Sequence, residues 1–80
     1  MDRVEMSGAD IQTEVTRLVH QIQEVRASRE TIAMPLPAHL AGLDLDGCNW
    51  YMPYGGMVGL HGHAIREAVQ EVKAKWNLKR

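Results

Sequence analysis

Residues 33–62 contain no lysine and no arginine, yet they hold six of the seven glycines and all three prolines. A long regular helix does not survive that density of breakers. Proline withholds an N–H and glycine loses the most backbone entropy on ordering. A flexible linker would instead be rich in Ser, Glu and Lys. The segment therefore reads as turns and short strands pressed against the rest of the chain. Any long helix must lie on either side of it.

Both flanks carry helical periodicity. Ile11, Val15, Leu18, Ile22, Val25 and Ile32 step by 4, 3, 4, 3 and 7 residues, which predicts an amphipathic helix over about 8–32. Ser7 and Asp10 are spaced as a capping pair, and Pro35 and Pro37 end the helix. Arg29 stands at the one position that breaks the stripe. A rod of that span is ~37 Å long at ~1.5 Å per residue, more than a globule of this size accommodates. Part of the stripe would then extend past its own chain. Ile11, Val15, Leu18, Val19, Ile22 and Val25 are thus expected to pair with a second copy in a helix-mediated homo-oligomer, most simply a dimer. Packing on the protein's own second helix is the competing arrangement. That second helix is predicted over about 62–77, from Ile65, Val69, Val72 and Trp76, with Ala64 and Ala68 permitting close approach. Its glutamates, Glu67 and Glu71, precede Lys73, Lys75, Lys79 and Arg80, as the helix dipole favours. Cations at that end need no nucleic acid to explain them.

Between the helices, Leu43 and Leu45 alternate with Asp44, and Asp46-Gly47 suits a tight turn. A hairpin is expected over 43–52, with Met57-Val58-Gly59-Leu60 as a third strand. The expected fold is α+β, one small domain over 1–80. It comprises the helix at 8–32, a turn-rich β segment at 36–61 (hairpin or three-stranded meander) and the helix at 62–77.

The 80 residues include one cysteine, so no internal disulfide can form. The opening residues lack the apolar run of a signal peptide, and no window approaches a membrane span. A cytoplasmic protein without membrane contact is expected. A net charge of −1 excludes a strongly basic nucleic-acid coat.

Catalytic chemistry finds little support. Cys48 has His39, His61 and His63 as conceivable bases, but no nucleophile motif surrounds it. Asp44, Asp46 and Gly47 open like a calcium loop and then lack its further carboxylates. His61 and His63 lack the second cysteine or the i,i+4 histidine of a zinc site. No catalytic residue, metal or cofactor is assigned. What remains is a surface: Trp50, Tyr51, Tyr54 and Met57, with His61 and His63 after them. Aromatic and methionine side chains of this kind anchor protein interfaces. The expected function is a non-enzymatic binding or inhibitor module that works by protein–protein contact. The alternative is a nucleotide-like small ligand. Gly56, Gly59 and Gly62 would cradle its anion at a helix start and the aromatics would stack on its base.

Overall fold

The computed structural model describes residues 4–29, 31–45, 47–53 and 61–79. Its elements in order are β1 (Val4–Met6), α1 (Gly8–Gln21), α2 (Gln23–Ser28), β2 (Ala38–His39), β3 (Trp50–Tyr51), α3 (Gly62–Lys73) and β4 (Trp76–Leu78). The α+β class is as expected, but the strand layout differs: β3 falls within the expected hairpin, whereas Leu43 and Leu45 form no strand and β1 and β4 were not expected. β1 pairs with β4 in parallel, Val4 opposite Trp76 and Met6 opposite Leu78. β2 pairs with β3 in antiparallel fashion, Ala38 opposite Tyr51 and His39 opposite Trp50. The molecule measures 36 × 23 × 21 Å.

The first helix starts where its cap places it. The Ser7 hydroxyl accepts from the Asp10 N–H at 3.1 Å, satisfying one of the donors a helix start leaves open. It does not run to residue 32. Ile22 is extended, at φ −69° and ψ 130°, and its carbonyl starts α2 by accepting from Val25 and Arg26. α2 then ends on Arg29 in the left-handed conformation, φ 59°. The cause of the break is the return of the chain. The His20 Nε2 accepts the Ile32 N–H at 3.0 Å, and its Nδ1 donates to the Thr16 carbonyl at 2.7 Å. The Gln12 amide donates to the Met34 carbonyl at 2.7 Å. A straight helix to residue 32 would carry these partners away from α1. The break instead lets Met34 and Val25 enter the core.

The core forms where α1 crosses α3. Ile11, Val15 and Val19 are fully buried and stand on one i, i+4, i+8 row. α1 packs on α3, whose buried residues Ala64, Ile65, Ala68, Val69 and Val72 belong to the same core, and the alanines leave room for the helices to approach. Val25 is buried as well, so four of the six expected oligomer residues are spent inside a single chain. Only Leu18 and Ile22 remain partly accessible. The inference of pairing from an overlong rod thus loses its premise.

Residues 74–78 depart from the expected second helix too. α3 stops at Lys73, and Trp76 lies in β4 instead of extending the apolar stripe. Lys75 crosses to α1, its Nζ 2.8 Å from Glu14 Oε2 and 4.7 Å from the Trp76 ring centre. Glu14 also receives both donors of the Arg17 fork, at 2.7 and 3.0 Å. Hydrogen bonds from Arg17 and then Lys75 lower its pKa to about 2.

Candidate functional site

The segment expected to carry function divides in two. Trp50 is fully buried, and its indole N–H donates to the Trp76 carbonyl at 2.9 Å. It is a core residue and is unavailable as a contact surface. Tyr51, the next residue along β3, points the other way and stays 45% exposed, as strand alternation requires. His61 is half-buried at the start of α3, and His63 is exposed, 3.1 Å from Glu67. Tyr54, Met57 and the expected third strand at 57–60 lie outside the described residues, as do Gly56 and Gly59 of the anion cradle. Cys48 is buried, its thiol 3.4 Å from the Trp50 carbonyl. Among the described residues no three His, Cys, Asp or Glu side chains gather as a metal ion requires.

The loop that joins β2 to β3 offers a different surface. Leu43 and Leu45 form no strand. Leu43 is 69% exposed and Leu45 fully so. Yet the backbone around them is held at many points. Leu40 N–H donates to the Asn49 carbonyl at 2.8 Å, and Asp44 N–H donates to the Cys48 carbonyl at 2.9 Å. Asp44 is the hub. Its carbonyl accepts the Gly47 N–H at 3.1 Å, and its carboxylate accepts the Cys48 N–H at 2.9 Å. The same carboxylate lies 3.5 Å from Lys73 of α3. Gly47 takes φ 84°, a conformation open to glycine at little cost. Its carbonyl accepts from the Asn77 amide at 3.2 Å.

Asn49 closes the base of the loop. Its side-chain oxygen accepts the Leu78 N–H at 2.8 Å and its amide donates to the Leu78 carbonyl at 3.0 Å. One side chain thereby stands in for a strand on the edge of β4. The result is a braced loop with two leucines directed into solvent. Sequence reasoning took Leu43 and Leu45 for strand residues and so missed them as a surface. The available signal was Asp44 placed four residues before Cys48. An aspartate there can bond backbone N–H groups further along and replace a ladder with a turn.

No family model, curated protein or solved structure matches the chain. No helix among the described residues is long and apolar enough to cross a membrane.

Proposed function

We propose that this protein is a non-enzymatic binding module that engages another protein through the 40–53 segment, with Leu43, Leu45 and Tyr51 as its contacts. The observation that carries the reading is the exposure of Leu43 and Leu45 on a backbone held rigid by Asp44, Asn49 and Asn77. Two leucines left in water forgo roughly 1.5–3 kcal/mol each, which is a sizeable share of the stability of a small domain. An ordered loop that carries them has already met most of the entropy cost of docking. Inhibition by occupying a partner's surface is the simplest use of such a device. The module acts as a single chain, since the main self-association face is spent in its own core. Tyr51, His61, Gly62 and His63 are what the described residues retain of the nucleotide-like alternative.

A photo-crosslinking amino acid at position 45, introduced in the native host, tests the reading. A discrete adduct with a different protein is expected from position 45 and not from exposed Thr13 of α1. Absence of any adduct at 45, or equal adducts at both positions, would overturn it. Leu45→Asp should abolish the same complex while the circular dichroism of the helices is unchanged.

A further inference from the structure

Separate from the loop, a groove of about 280 Å³ opens between α1 and α3, lined by Leu18, Gln21, Ile22, Glu67, Ala68 and Glu71. Its floor is apolar: Leu18 and Ile22 are the two residues of the α1 stripe left partly uncovered, and Ala68 keeps the far side shallow. Its rim is polar and anionic. Glu67 and Glu71 are one helical turn apart on the same edge of α3, with side chains ~5–6 Å apart at their bases. Gln21 lines the opposite side from α1 and carries an amide oxygen able to accept a hydrogen bond. Lys73, which braces the loop, lies about 200° around α3 from Glu71, so groove and loop occupy different flanks.

The charges nearby do not fill the rim. His63 approaches Glu67 at 3.1 Å, but both side chains are largely in water. The Arg17 guanidinium has its pKa raised mainly by its hydrogen bond with Glu14, and Glu71 adds only a weaker long-range pull. Its fork is committed to Glu14 at 2.7 and 3.0 Å. Among the described residues no side chain forms an ion pair with Glu71.

The geometry points to a groove that receives one arginine side chain of a partner protein. Three observations select that occupant. The volume falls just below the roughly 300–1,000 Å³ of sites for whole small molecules, so it suits a single long side chain. The apolar floor suits an aliphatic stem that buries its methylenes while its head reaches the rim. Two carboxylates and an amide oxygen spread along the rim match a planar guanidinium with five donors better than a compact ammonium with three. This surface stands or falls independently of the Leu43–Leu45 loop.

The probe is N-acetyl-arginine-N-methylamide, titrated into the uniformly ¹⁵N-labelled full chain. Saturable shifts are expected at Gln21, Ile22, Glu67, Ala68 and Glu71, and none at Leu43 or Leu45. The neutral citrulline analogue should bind about tenfold or more weakly, since it loses the charge-assisted hydrogen bonds. The Glu67→Gln, Glu71→Gln double variant should lose the preference for arginine over citrulline. Both positions are exposed, and retained helical circular dichroism checks that this variant is folded. Absent shifts, equal binding of citrulline, or a lysine analogue binding as tightly as arginine would overturn the assignment. Shifts at these same residues that grow with protein concentration alone would also overturn it, because a second copy would then be the occupant.

Discussion

At the scale of single residues, the chain relies on side chains that substitute for missing backbone partners. His20 bonds through both ring nitrogens, with Nε2 as acceptor and Nδ1 as donor, so the neutral Nδ1–H tautomer is the one built into the fold. Trp50 combines the largest buried side chain with a hydrogen bond to β4. Trp50→Ala should therefore cost about 3–5 kcal/mol, enough to unfold a domain this small. Loss of the helical signal at 25 °C is the expected readout, and a folded Trp50→Ala variant would place the indole outside the core. Glu14 is the residue that ties acid stability to structure. Its carboxyl sits at about 2 against an ordinary 4.5, so in that window the unfolded chain binds more protons. The stabilisation is fully present above about pH 4.5 and is lost as the pH falls towards 2. Its partners Arg17 and Lys75 are half in water, so the contribution is only about 1 kcal/mol. Urea denaturation across that range should show a loss of this size, and Glu14→Gln should flatten it.

At the scale of elements, the sequence was most readable where a pattern was long. The α1 start, its Ser7 cap and the α3 stripe from Ile65 to Val72 were all visible. The stop of α1 was not. Nothing in a 4–3 periodicity reveals that His20 will hold Ile32, a contact made across twelve positions. The strands were legible only at Trp50 and Tyr51, which fall within the expected hairpin, and the others were hidden for a related reason. β1 and β4 have three residues each and β2 and β3 have two, too few for alternation to declare itself. The candidate surface was half legible. Tyr51 is exposed, as a contact would be, whereas Trp50, named as a contact with the core as its competing place, is buried; aromatic anchors and aromatic cores look alike without burial. Arg29 shows how local strain enters at an element end. It holds φ 59° at the C-terminus of α2, where a side chain is strained and glycine is not. Arg29→Gly is expected to raise stability by about 0.5–1 kcal/mol, read as a higher urea midpoint at unchanged m-value. A lower midpoint would mean that the arginine side chain makes compensating contacts.

At the scale of the whole molecule, one chain suffices to enclose the core. With Ile11, Val15, Val19 and Val25 all buried within it, we expect sedimentation equilibrium at micromolar concentration to give a species of 9.0 kDa. A dimer would mean that Leu18 and Ile22 alone support association. The sheet of β1 and β4 carries a further consequence. Val4 pairs with Trp76, and the Asn49 amide and the Trp50 indole donate to carbonyls of β4. β1 therefore has no partner in this sheet until β4, 72 positions further along, has joined the fold, and the Asn49 and Trp50 donors wait with it. Closing so long a loop is entropically slow, so this short sheet is the contact that couples the most distant parts of the described fold.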